Sequence, residues 1–542
     1  MDKSTLEGRI PESPGDIDTG SRDINDAENG DEADVASIDR IYRKIDWRII
    51  PPFWTLYFLC SAIRSNIGLA QTMNIVQDHD LGSVLNITPR QISTSLALFY
   101  VCYVTFDLPS NLIMTRLSPR VWMSRIVISV GVIGCCFAAV KAAWSLYLLR
   151  LLLGIVTAGM WPGMAYYLTL FYPPSRTGKR IGQYYTAAQV SAAVVGLVSA
   201  GFQKMDGLRG LVGFQWMFLL YGVAGILTGF SLLWWLPERP LPPGEVLPPR
   251  PLPLRWIPRT APALTGRDAE IHYHDLKRAY NRSQWTMRDL GRVLIDWRLW
   301  PLTIMYFGVV GVGIGVQSYG TVIIRAANPA LTGIELSLLF APIWIMDLIA
   351  ILLVTPFSDR FHHHRAIFFS IPATIQILGL LLTTYAGSPT NAWPRYGGLL
   401  IVGFGLGPTV PITMTWTTEL FQPRHGEVGV AAASALVSGL GNLGSIVSTY
   451  ALYSGWASDM QAEGSKQYRK SNLVMVGMLC GSILAAGSME VLLRVVGGKT
   501  ASAPTGNVNR GDGEGGDVDG AARREVGQRG LEGLWFLKPF RK

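Results

Sequence analysis

The chain has 542 residues, 49% of them hydrophobic and only 16% charged, with a net charge of +9. Its positive mean hydropathy excludes an ordinary soluble domain of this length. A basic balance in a soluble chain suggests nucleic acid, but here the basic residues fall in alternate loops between apolar runs, so the partner indicated is the lipid bilayer.

In chain order, residues 1–41 (…GDIDTGSRDINDAENGDEADVASIDR…) are acidic and polar, which predicts a disordered cytoplasmic tail rather than a cleavable signal peptide. Apolar segments of about 20 residues, the length that crosses about 30 Å of hydrocarbon, then recur. Six, at 49–70, 91–114, 121–140, 146–171, 181–201 and 213–236, make an N-terminal bundle within residues 42–236. A proline- and arginine-rich stretch, residues 237–298, reads as a cytoplasmic linker in which GRDAEIHYHDLKRAY suits a short amphipathic helix. Six more segments, at 300–324, 335–357, 366–385, 396–420, 428–453 and 472–494, make a second bundle within residues 299–495. Residues 496–542 are glycine-rich and predicted to be a disordered cytoplasmic tail. The fold class expected is all-α, twelve transmembrane helices in two six-helix bundles. Basic loops such as YRKIDWR, RLSPRVWMSR, PPSRTGKR and DRFHHHR alternate with poorer ones such as QDHDLG, which places both termini in the cytosol.

Charges inside apolar spans are costly and mark function by default. Arg64 lies in the first span, where helical spacing aligns it with Tyr57, Ser61, Gly68 and Gln71. Two readings stand: a cavity arginine whose planar fork takes anionic oxygens, or a residue near the span's end that snorkels to the interface. Asn66 and Gln71 join it as candidate substrate-binding residues, with Gln317 of the seventh span and Asn442 of the eleventh, which lies on the polar stripe Ser438, Asn442, Ser445, Thr449. Asp107 in the second span is a candidate proton carrier or the permanent partner of Arg116 or Arg125, and Glu419 in the tenth is a second proton candidate. Arg150, opening the fourth span, reads as gating or structural. His362, His363 and His364 are adjacent and poorly spaced for a tetrahedral metal site, so no metal or other cofactor is expected. All five cysteines fall in spans, where they read as apolar fillers. The sequon at Asn86 is weakened by Pro89. No GxxxxGK[ST], GxSxG or HExxH is present, which argues against an ATP-driven pump and against an enzyme.

The paired loops PSNLIMTRLSPRVWMSR and TPFSDRFHHHR resemble the loop signature of the major facilitator superfamily, which implies that Asp359, Arg360 and Arg365 latch cytoplasmic helix ends. NIG, DLPSNLIMTRL, RLLLGIVTAGMWPGMAYYLTLFY, GLGNLGSIVSTYAL and GSKQYRKSNLVMVGM, in this order, resemble its anion:cation symporter, allantoate permease-like family. SPRVWMSR and the run from GMWPGMAYY resemble the fungal alternative sulfate or sulfonate branch. The chain departs from the family at Ile63, Thr157 and Tyr221, where members carry acids, and keeps the acid at Asp107. The resemblance implies a monomeric, plasma-membrane transporter that imports a small anion (sulfate, sulfonate or organic carboxylate) with protons by alternating access. An exporter of an acidic metabolite and a non-transporting nutrient sensor are the alternatives.

Overall fold

The computed structural model describes residues 19–116, 118–240, 260–279, 287–361, 364–386, 393–462 and 467–501. In the first half the helices are α1 (Thr19–Ala70), the short α2 (Leu81–Leu85), α3 (Pro89–Arg116), α4 (Pro119–Phe137), α5 (Ala143–Thr157), α6 (Met160–Thr169), α7 (Pro174–Gln203) and α8 (Gly213–Trp235). α9 (Arg267–Ala279) and α10 (Met287–Ile295) follow in the connecting segment. The second half holds α11 (Leu299–Ala327), α12 (Gly333–Arg360), α13 (Arg365–Tyr385), α14 (Trp393–Gly441), α15 (Leu443–Ile446), a π-helical turn Val447–Ala451, the short α16 (Ala457–Met460) and α17 (Arg469–Ala501). Nine helical segments among the described residues are long and apolar enough to cross a membrane. Large apolar side chains such as Leu227, Leu352, Phe357, Ile371 and Leu484 are exposed on their outer faces, as a lipid-facing surface requires.

Three features differ from the expectation. α1 begins at Thr19, inside the stretch expected to be irregular, so the first helix extends well beyond its apolar part. The fourth span is broken: α5 ends at Thr157 and α6 restarts at Met160. Gly159 stands between them at φ +80°, a left-handed conformation that glycine adopts freely, and Pro162 sits in the first turn of α6, where a missing N–H is harmless. Finally, the tenth and eleventh spans form one helical run, α14, which turns back on itself. Leu406 packs at Gly313 while Gly441 packs on Tyr306, yet 35 residues of straight helix would span about 50 Å.

In the first half α4 packs on α8, and α7 on α1; in the second, α14 packs on α13 and α11. The α4–α8 crossing is close because Gly131, Gly222 and Gly229 let the backbones touch: a Cβ on Gly222 would lie 2.5 Å from the Cys135 nitrogen. The two bundles meet along α7–α12 and α1–α11.

Candidate functional site

Between the bundles lies a cavity lined from both halves. α1 supplies Tyr57 and Arg64, α3 Tyr103, α6 Trp161, and α7 Tyr185 and Gln189. From the other bundle come Tyr306, Gly313 and Gln317 of α11, Trp344 and Asp347 of α12, Ser438 near the end of α14 and Asn442 just after it. Six aromatic rings thus form much of the wall. Tyr57, Tyr185 and Trp161 hold one another: Trp161 lies 5.6 Å from Tyr57 and 5.5 Å, edge to face, from Tyr185. Such rings present flat apolar faces with a polar rim.

Arg64 lines this cavity. The phenols of Tyr57, Tyr100, Tyr103 and Tyr185 stand around it. Among the described residues no carboxylate pairs with it, and its Nε has no partner. Arg150 donates from Nη1 to the Arg64 carbonyl oxygen at 3.2 Å and lies 5.3 Å over the Phe137 ring. Placing Arg150 at a helix opening is corrected: α5 starts two turns earlier, and the side chain is 1% exposed in the bundle interior, behind Arg64. Two arginines in apolar surroundings without a described acid leave positive charge for an anion to meet.

The remaining predicted residues separate. Gln317 and Asn442 do line the cavity, although Asn442 spends its amide N–H on the Ser438 carbonyl, 2.8 Å. Asn66 is fully buried with both amide atoms unpartnered, and it is absent from the cavity wall. Gln71 lies two turns beyond Arg64 and donates to the Ser318 carbonyl across the bundle interface, 3.0 Å. The stripe through Ser445 and Thr449 turns back on its own helix, Thr449 Oγ1 donating to the Ser445 carbonyl at 2.7 Å.

Asp107 is buried, and its Oδ1 accepts the Gly159 backbone N–H at 2.8 Å, capping the restart of the broken fourth span. Arg125 instead covers Trp122 at 3.9 Å, and the side chain of Arg116 lies outside the described residues. Glu419 stands away from the cavity wall: Arg365 bridges it at 2.7 Å and Asp359 at 2.9 Å, with Ser358 Oγ accepting as well, 2.7 Å. This ties the ends of α12, α13 and the first leg of α14 together, so Glu419 belongs with the loop charges. Arg360 is exposed beside them. His364 precedes α13, whereas His362 and His363 lie outside the described residues.

Asp347 was missed from sequence, though its signal is plain: a carboxylate in FAPIWIMDLIAILLV, part of the most apolar of the nine membrane-length helices. It is wholly buried on the cavity wall, with neither carboxylate oxygen in a well-formed hydrogen bond and the Gln189 amide beside it.

At one end the bundles are joined by hydrogen bonds. Gln203 Nε2 donates to Ser337 Oγ at 3.0 Å, and Thr321 to the Gly68 carbonyl at 3.3 Å. Ser93 and Tyr319 share a bond of 2.8 Å, and Tyr319 donates to the Thr449 carbonyl at 2.9 Å. Arg90 reaches Tyr450 Oη at 3.1 Å and the Gly455 carbonyl. At the opposite end α9 of the connecting segment packs on the first half, whereas α10 packs on α14 and α11. Lys44 meets Asp268 at 2.6 Å, Tyr42 donates to Asp275 at 2.5 Å, and His272 Nε2 meets the Phe171 carbonyl at 2.8 Å.

Residues 53–449 match the family model described as Major Facilitator Superfamily. The chain is 45% identical over 475 residues to Vitamin H transporter 1 of Schizosaccharomyces pombe, covering 86% of this chain and 82% of that one. It is 27% identical over 461 residues to a putative tartrate transporter of Agrobacterium vitis, covering 84% and 93%. The fold is similar, at TM-score 0.55 and 16% identity, to the crystal structure of a bacterial homologue of the human lysosomal transporter Spinster, inward-facing and unoccupied, covering 82% of this chain and 96% of that one.

Proposed function

The chain belongs to the major facilitator superfamily and is a membrane transporter, and on that premise we propose that it imports a small organic carboxylate together with protons. The observation that carries this reading is Arg64: a guanidinium on the cavity wall among tyrosines, with no described carboxylate to pair with it and a second arginine behind it. Its fork receives a carboxylate through two parallel N–H donors.

Of the anions left open by sequence, sulfate is the poorest fit, because it is small and polar throughout whereas the wall around Arg64 is mostly aromatic. A ring-bearing monocarboxylate uses both features. The resemblance to a vitamin H transporter favours this class, since vitamin H, biotin, is such a molecule. Proton coupling is assigned to Asp107. Taking a proton weakens its grip on the Gly159 N–H, so its charge state is mechanically linked to the break between α5 and α6. With both termini in the cytosol of a plasma-membrane monomer, the hydrogen-bonded end is the outer one. The arrangement is then the one that faces the cytosol.

Uptake of radiolabelled biotin by cells lacking their own carrier tests the reading. It should rise at acidic external pH and collapse with a protonophore. Uptake indifferent to both removes the proton coupling, and failure of every carboxylate tried, biotin and tartrate included, removes the substrate class.

A further inference from the structure

The carboxylate end of such a substrate accounts for Arg64 but leaves the opposite wall unexplained. Asp347 on α12 is 0% exposed, and neither of its oxygens makes a well-formed hydrogen bond, the Gln189 amide being the side chain within reach of it. Gln189 on α7 stands beside it, 5% exposed, with its Oε1 also unpartnered, and Trp344 lies one turn before it on the same face. No lysine or arginine pairs with Asp347 among the described residues. A carboxylate offers about four acceptor sites. Leaving them empty in a buried position is expensive. The unmet need is therefore for N–H donors, and Asp347 lines the same cavity as Arg64, from the other bundle.

We propose that Asp347, assisted by Gln189, receives a pair of N–H donors at the end of the substrate remote from its carboxylate, so that the preferred ligand carries a urea- or amide-type head as well as an acid. This rests on the carboxylate reading of Arg64. A cyclic urea presents two N–H groups that a carboxylate accepts in parallel, as it accepts an arginine fork. One ligand then spans both bundles, Arg64 holding one end on α1 and Asp347 the other on α12. Molecules with a single suitable end engage only one bundle.

The test is equilibrium binding to the full chain purified in detergent, with three probes: biotin, biotin methyl ester, which keeps the urea and loses the acid, and lipoate, which keeps an acid and a ring and loses the urea. The wild-type chain should bind biotin at least about tenfold more tightly than either analogue. Asp347→Asn should weaken biotin about ten- to a hundredfold and leave lipoate within about twofold, collapsing the biotin-to-lipoate ratio. Gln189→Leu should shift that ratio in the same direction by less. Arg64→Lys should instead collapse the ratio of biotin to its methyl ester. Should Asp347→Asn keep the biotin-to-lipoate ratio, the inference is overturned, including the case in which only the pH dependence of uptake changes, which would make Asp347 a proton carrier. Equal binding of biotin and lipoate by the wild-type chain overturns the inference and leaves the carboxylate reading intact. Binding of neither overturns both, and the wild-type comparison stands even if a variant fails to fold.

Discussion

A carboxylate buried in a membrane protein is defined by what meets it, and Asp107 and Asp347 meet different things. Asp107 meets a backbone N–H at a helix break; Asp347 lies buried in the cavity wall beside the Gln189 amide. The cap can be tested apart from the charge. Asp107→Asn keeps an acceptor oxygen for Gly159, so it should fold and reach the membrane normally while uptake loses its response to external pH. Asp107→Ala removes the acceptor and should cost about 1 kcal/mol of thermal stability as well. Gly159→Ala should cost more, because φ +80° penalises any side chain and a Cβ would collide with Ser110. Wild-type pH response in Asp107→Asn would leave Asp107 as a cap alone. How far such residues were legible is a matter of geometry. Arg64 and Asp107 stand out because charges in apolar runs are rare. Helical spacing already argues against Asn66, two residues and some 200° around the helix from Arg64. Gln71 does share the Arg64 face, but two turns further out, where the bundles touch rather than part. Sequence marks the charge; it does not mark the partner.

At the scale of elements, apolar length located the nine membrane-length helices found among the described residues, but not the interruptions within them. AGMWPG holds the glycine and proline of the break, yet only the fold brings Asp107 to cap it. The amphipathic helix expected in the linker is present as α9, and its docking on α1 and at Phe171 supplies a pH-dependent element outside the membrane. Burial lowers the proton affinity of His272 below its ordinary value, while the Phe171 carbonyl and Asp275 oppose this, and Tyr42 lies edge-on at 5.6 Å. With the folded value below the unfolded one near about 6.5, docking is at full strength above that pH and weakens as pH falls through the folded value. Hydrogen exchange of residues 267–279, corrected for intrinsic rates, should therefore quicken on acidification in the wild-type chain and not in His272→Gln. Equal protection across that range would contradict the assignment.

For the whole molecule, two bundles joined at one end predict that the joint can be pried open. A Cβ on Gly68 would lie 2.6 Å from the Gln317 carbonyl oxygen, so Gly68→Val should prevent α1 and α11 from closing. In a background with the five native cysteines replaced, a cysteine at Ser438 should then react several-fold faster with a membrane-impermeant maleimide added outside. Unchanged labelling would show that this end is not the outer gate. The central claim, however, is that the space between the bundles is built around a carboxylate held by Arg64, and kinetics of biotin uptake in Arg64 variants test it most directly. Arg64→Lys keeps the charge and loses the planar fork, so the apparent KM should rise while the maximal rate changes little. Arg64→Ala should nearly abolish uptake, with both variants present at the cell surface in wild-type amounts. Wild-type kinetics in Arg64→Lys would contradict the bidentate grip, and wild-type uptake in Arg64→Ala would contradict the account as a whole.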